Sequence, residues 1–336
     1  MTSGPAEPVP FSAFMEAALY GPHGFYATGG RAGRRGDFLT SPEVGPLFGA
    51  VVARALDAWW DQLGRPSSFP VADIGAGPGT LARAIVAAAP RCADALTLTL
   101  VERSASQRES HPIGPMLRSA ATLPEGDFAV VFANELLDNL AFDLLVFDGK
   151  WMEAWVTIGA DGQATETLRP TANLPAHLPT RPVHGARAPR QDNAAGWVGD
   201  MIQRLQLGGR LVMFDYCSTT ASMAVRPWRE WLRTYRQHER GEHYLKAAGH
   251  QDITCEVALD QLPLPDAVRS QAQWLTRHGI DELVAEGRAI WAERGAIGDL
   301  PALKARSRVR EAEALVEPTG LGGFTVAEWH AQLPSG

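Results

Sequence analysis

Three glycines at alternate positions, Gly75, Gly77 and Gly79, follow directly on the apolar run 69–74, with Asp73 near its end and Thr80 opening a helical pattern behind them. Glycine there lets the backbone turn sharply and lets a ligand approach where a Cβ would clash. A strand that runs through such a loop into a helix holds a small ligand over its carboxyl end. The nicotinamide fingerprint G-x-G-x-x-G does not fit, because the third glycine comes one residue early and Thr80 takes its place. Pro78 also removes a backbone N–H from a loop that would have to cradle a pyrophosphate. S-adenosyl-L-methionine carries no phosphate; it presents a carboxylate, an ammonium and a sulfonium, and Asp73 suits that cationic methionine end. Glu102 closes the next apolar run, 96–101, where an acid accepts both ribose hydroxyls. The plainer reading is a tight turn beside an exposed Glu102. The ordered succession of strand, acid, G-x-G-x-G, helix, strand and acid favours a cofactor site.

A second group follows the apolar run 128–133: Asn134, Glu135 and Asp138. Two carboxylates there can hold a guanidinium through charge-assisted, bidentate hydrogen bonds. Asn-Glu-Leu-Leu stands where base-modifying enzymes place Asn-Pro-Pro-Tyr, which argues against a flat nucleobase acceptor. For Asp138 the plainer reading is a surface or capping acid.

These residues need an alternating frame to hold them. Residues 69–74, 96–101 and 128–133 read as strands and 80–89 as a helix, implying right-handed βαβ units and a mostly parallel sheet. Ahead of them lie a short helix over 11–19 and a long one in which Leu47, Val51, Val52, Leu56, Trp59 and Leu63 recur at helical spacing. Residues 144–147 and 151–158 read as a hairpin across Asp148-Gly149-Lys150, and 165–195, with five prolines, as a lid-like surface excursion. Beyond it the pattern gives a helix over 197–205, a strand over 210–216, a helix over 225–248, a strand over 252–257, two helices within 266–316 and a last strand over 323–329. The expectation is an α/β, Rossmann-like sheet of the class I methyltransferase type, in four stretches. Residues 1–65 form an N-terminal helical segment with a cofactor-covering loop, and 66–160 the cofactor-binding core. Residues 161–196 are a Pro-rich insertion, and 197–336 carry the rest of the sheet with substrate-side helices.

Bulk properties narrow the classes. In 336 residues 45% are hydrophobic, enough for a substantial core, and the formal net charge of −7 is interspersed rather than blocked. An acidic balance excludes a nucleic-acid backbone as the expected partner and leaves a basic protein substrate open. Cys92, Cys217 and Cys255 are isolated and read as reduced thiols. With no signal-like start and no apolar run of about 20 residues, a soluble, cytoplasmic chain without membrane contact is expected. The nine histidines show no ligand spacing, so no metal is expected.

The chain resembles the MidA-like family of methyltransferases, which includes the mitochondrial complex I assembly arginine methyltransferase. The resemblance is carried by Phe14-Met15, Leu19-Tyr20-Gly21-Pro22, Gly24-Phe25-Tyr26, Gly36-Asp37-Phe38-Leu39-Thr40-Ser41-Pro42-Glu43, the glycine loop, Glu102 and Ala133-Asn134-Glu135-Leu136-Leu137-Asp138. It covers residues 11–150 closely and the rest loosely. Asp215-Tyr216-Cys217 replaces the family's Asp-Tyr-Gly, Gly249-His250-Gln251 precedes Asp252-Ile253-Thr254 where Pro-Gly is usual, and Ala258 stands where an aspartate is expected. Arg233, Tyr235 and His238 keep the family's spacing. The resemblance implies S-adenosyl-L-methionine as cofactor and an arginine of a partner protein as acceptor. Asp73, Gly75, Gly77, Gly79, Glu102, Thr40, Ser41, Pro42 and Asn134 would lie on the cofactor side. Glu135, with Asp138 or Asp37, would orient the acceptor. Thr40 to Glu43 also read as a capping box opening the long helix, with Asp37 on a loop covering the methionine end. A small-molecule O- or N-methyltransferase, marked by a closed apolar acceptor pocket, and a non-catalytic assembly factor are the alternatives.

Overall fold

The computed structural model describes residues 7–27, 40–236 and 239–331. Its centre is a seven-stranded sheet in the spatial order Ala267–Ser270, Thr325–His330, Leu205–Asp215, Phe128–Asn134, Phe69–Ile74, Leu96–Val101, Leu117–Ala120. The last five run parallel, while Thr325–His330 is antiparallel to both of its neighbours. The order reverses between Phe69–Ile74 and Phe128–Asn134, and open α/β sheets bind their ligands at that switch.

Strand alternation sorts the sheet's two faces. Val71, Leu98, Leu100, Val130, Phe132, Val212 and Phe214 pack in one cluster with helices Pro46–Gln62 and Gln271–Arg277. Ala72, Ile74, Val131, Ala133, Leu211 and Met213 pack in another with helix Asp192–Gln203. Burial on both faces explains why these strands read as unbroken apolar runs. Helix Pro46–Gln62 lies close enough to helix Thr80–Ala87 that a Cβ on Gly49 would sit 2.3 Å from that of Ala84. That contact fixes the helix following the glycine loop.

The hairpin Asp143–Phe147 with Trp151–Ile158 forms as expected. It belongs to a second, antiparallel sheet with Val9–Pro10, Ala164–Pro170 and Arg187–Arg190. The 165–195 stretch is thus anchored by a strand at each end, and only residues between them form the excursion. Arg187 is held by a bidentate pair to Glu166 at 2.7 and 2.8 Å. Those strands carry few apolar residues, which hid them from hydrophobic periodicity.

Residues 225–248 do not form the expected helix. A short turn at Trp228–Glu230 leads into strand Leu232–Arg236, which pairs with Glu239–Arg240 and with Asp252–Cys255. Trp228, Trp231, Leu232 and Tyr235 happen to fall at helical intervals. Pro227 and the close approach of Gly241 to Gln251 and Thr234 favour the strand. Residues 266–316 hold strand Ala267–Ser270 and three helices, Gln271–Arg277, Ile280–Arg294 and Leu300–Val316, rather than two helices alone. No helix of the described residues is long and apolar enough to cross a membrane.

Candidate functional site

The carboxyl ends of Phe69–Ile74, Leu96–Val101 and Phe128–Asn134 converge on a cavity of about 330 Å³. Asp73, Gly75, Gly77, Glu102, Thr40, Pro42, Asn134 and Glu135 all line it. The loop adopts φ of +72° at Gly75, +53° at Gly77 and +80° at Gly79, the left-handed region that disfavours side chains. His111 steadies the loop: one ring nitrogen lies 2.9 Å from the Gly77 carbonyl and the other 2.8 Å from Ser119 Oγ. Gly79 does not line the cavity; a Cβ there would lie 2.8 Å from Leu100 and Pro112, so its role is to let the following helix pack.

Glu102 is preset by two backbone N–H groups, Gly77 at 3.1 Å and Ser104 at 2.7 Å. Asp73 is 3% exposed and its Oδ2 has no hydrogen-bond partner. Burial, and then the nearby Glu102 charge, push its carboxyl up to about 7. Asn134 Oδ1 and Gln107 Oε1, in the same walls, are also buried acceptors without a donor. Three orphaned acceptors around one cavity fit a ligand that brings N–H and O–H groups, as a nucleoside carrying a free amino-acid group does.

Glu135 sits just past its strand with a positive φ of 50°. A non-glycine residue held there marks a position where the surroundings override local preference. Its carboxylate receives Asn134 Nδ2 at 3.2 Å, the Tyr216 hydroxyl at 3.4 Å and the backbone N–H of Ser41. Burial and the Asp138 charge nevertheless raise its carboxyl to about 8.

Other expected site residues fall elsewhere. Asp138 does not line the cavity: the turn Leu137–Asn139 aims it inward, where it accepts the Thr254 hydroxyl at 2.5 Å, and presents Asn139 to the cavity instead. Burial raises its carboxyl to about 6. Ser41 is fully buried, its hydroxyl donating to Gln271 at 2.8 Å, so that only its backbone serves the site. The capping box does not form. Ser41–Val44 is a separate short turn without a side-chain cap, and Gly45-Pro46 restarts the chain as the long helix. That helix is capped from far along the chain, Glu311 accepting the Leu47 N–H at 2.8 Å. Asp37, the loop around it and His238 lie outside the described residues.

Several cavity residues carried no assignment from the sequence. Tyr20 and Tyr26 stack with ring centroids 5.4 Å apart, and the Tyr26 hydroxyl lies 3.1 Å from Asn139 and 3.2 Å from Asp252. Both tyrosines belong to the motifs that carried the resemblance, the one signal that marked them. Glu43 and Leu136, also within those motifs, share the walls with Arg103, Gln107 and Trp197, and no spacing in the sequence singles out the last three. Among the described residues no group of acids, histidines or cysteines is arranged to hold a metal.

Behind Glu135 lie three fully enclosed acids, Asp138, Asp215 and Asp252. Burial raises all three, Asp252 to about 7, and Asp215 well above the usual carboxylate range. Each therefore binds its proton more tightly folded than unfolded. The native state holds extra protons from about pH 4 to about pH 7, and its stability falls as pH rises through that window. The thermal midpoint of the cofactor-free protein is expected to be at least about 3 °C higher near pH 5.5 than near pH 8.5. Calorimetric scans across that range would show it, and a flat or rising profile would mean these acids are ionised in the fold.

A family model described as "Putative S-adenosyl-L-methionine-dependent methyltransferase" matches residues 51–279. "Protein arginine methyltransferase NDUFAF7 homolog, mitochondrial" of Drosophila melanogaster is 26% identical over 296 residues, covering 74% of this chain and 64% of that protein. The corresponding Mus musculus protein is 23% identical over 295 residues, covering 76% and 65%. The matches thus span slightly less than two thirds of these relatives' own length. A crystal structure from Burkholderia thailandensis, bound to S-adenosyl-homocysteine, superposes with a TM-score of 0.79 at 27% identity, over 96% of this chain and 87% of that one.

Proposed function

Since the chain belongs to this family of S-adenosyl-L-methionine-dependent methyltransferases, we propose that its acceptor is an arginine side chain of a partner protein. Glu135 carries the reading: a carboxylate at the tip of the strand beside the cofactor cavity, with neutral hydrogen-bond partners among the described residues. The names of the Drosophila and mouse relatives agree with it. A carboxylate whose partners are all neutral is left without a countercharge and suits a guanidinium, which offers paired N–H donors at fixed geometry.

When bound, the cofactor supplies a methyl group already activated by its sulfonium. Asp73 would hold the ammonium and Glu102 the ribose hydroxyls, and the glycine loop would let the ligand lie against the backbone. Glu135 orients the guanidinium and receives the N–H proton as the nitrogen gains its methyl group. A carboxyl raised to about 8 is ionised by the arriving cation and stays basic enough for that task.

Gly77→Val and Glu102→Ala are each expected to weaken cofactor binding by about tenfold or more. The first forces a branched side chain into φ +53°, and the second removes two charge-assisted acceptors. Calorimetric titration with S-adenosylmethionine measures both, and unchanged affinity in either would remove that residue from the site. For the acceptor, extract of cells lacking this protein is incubated with it and methyl-labelled cofactor, and the labelled protein is hydrolysed. Label in methylarginine is expected; label in another amino acid or in a small metabolite would overturn the arginine reading.

A further inference from the structure

Tyr216 follows directly on strand Leu205–Asp215 and faces two spaces. Its hydroxyl reaches Glu135 Oε2, in the wall of the cofactor cavity, at 3.4 Å. Its ring lines a second groove of about 430 Å³, with Cys217, Arg233, Glu256, Thr319 and Phe324. The Phe324 ring braces it, centroid to centroid at 4.0 Å. One long hydrogen bond between a neutral hydroxyl and a carboxyl group therefore links the groove's wall to Glu135, and such a bond is weak.

Charge is distributed unevenly along this path. In the groove, Glu256 is matched by Arg226 at 2.5 Å and Arg233 at 2.9 Å. At the inner end stand Glu135, Asp138 and Asp215, whose hydrogen-bond partners among the described residues are all neutral: Asn134, Tyr216, Thr254 and backbone N–H groups. A cation moving inward passes from balanced charge to a surplus of acid. In-line transfer also requires the acceptor to approach the methyl group from the side opposite sulfur, and the Tyr216–Glu135 contact is part of the wall between the two spaces.

We propose that this outer groove is the acceptor channel: an extended, arginine-bearing peptide lies along it and passes that one cationic side chain past Tyr216 to Glu135. The inference rests on the protein-arginine reading above. The incoming charged donor replaces the Tyr216 hydroxyl on Glu135, exchanging a weak bond for a charge-assisted one. Tyr216 is a positioning residue on this view, and Thr319, exposed at the groove, is where an added bulky side chain would block the channel.

The test uses the full chain loaded with S-adenosyl-homocysteine and two fluorescent probes, Gly-Gly-Arg-Gly-Gly and Gly-Gly-Lys-Gly-Gly, followed by polarisation. Thr319→Trp is compared with Ile113→Trp, a fully exposed position outside both spaces, and S-adenosyl-homocysteine affinity reports folding in each variant. The arginine probe is expected to bind the wild type, at least about tenfold more weakly to Thr319→Trp, and unchanged to Ile113→Trp, with cofactor-product affinity equal throughout. Binding of the lysine probe alone, with the same sensitivity to Thr319→Trp, would keep the channel and overturn arginine as acceptor. Binding indifferent to Thr319→Trp, or no binding of either probe, would overturn the channel.

Discussion

Glu135→Gln is expected to lower methyl transfer by about three orders of magnitude while leaving S-adenosylmethionine affinity within about twofold of wild type. Glutamine keeps the size and much of the hydrogen bonding toward Asn134 and Tyr216. It can neither pair with a guanidinium nor take up a proton, so the loss should fall on the chemical step. Two features add to the argument. The residue is held at positive φ, and burial, with the Asp138 charge behind it, raises its carboxyl to about 8, which makes it a strong acceptor for a cation's proton. Single-turnover kinetics with labelled cofactor, beside calorimetric titration, separates the effects. Equal losses of rate and affinity would move Glu135 from the acceptor to the cofactor, and unimpaired turnover would remove it from the reaction.

Asp73→Asn carries the second large effect, on binding and on its pH dependence. Asp73 titrates near 7 in the cofactor-free protein because burial and Glu102 disfavour its charge. An ammonium placed beside it reverses that preference, so binding below about pH 7 must release a proton. Affinity is then expected to rise with pH toward about pH 7, by up to about tenfold per pH unit, and to level off above it. The asparagine variant should bind about 10–100-fold more weakly near pH 8 and lose that slope, since a charge-assisted bond to a buried group contributes about 1.5–3 kcal/mol. Titrations in buffers of different ionisation enthalpy count the proton directly. The same slope in the variant would place the titrating group elsewhere, Glu135 being the nearest alternative.

The cofactor half of the molecule was legible in its residues because its determinants are local. Strand, acid, glycine loop and helix occupy one continuous stretch from Phe69 to Ala87, and Glu102 ends the next strand. Each property used there, from apolar runs to the need for positive φ at Gly75 and Gly77, belongs to neighbouring residues. The acceptor side was not legible in the same way. Asp138 reads like Glu135 in sequence, yet a one-turn twist of backbone sends one to Thr254 and the other to the cavity.

What the sequence alone determined, then, was the sheet of apolar strands, the glycine loop with its two acids, and the family whose motifs it carries. Tertiary structure decided which carboxylates face the ligand, that Glu311 rather than Thr40 caps the long helix, and that residues 225–248 pair as strands. It also decided that Tyr216 stands between two cavities. The physical reason is one of range. Backbone preference and hydrophobic period act over a few residues, whereas the orientation and proton affinity of Glu135 and Asp138 depend on partners such as Tyr216 and Thr254, which the fold brings from 81 and 116 positions away.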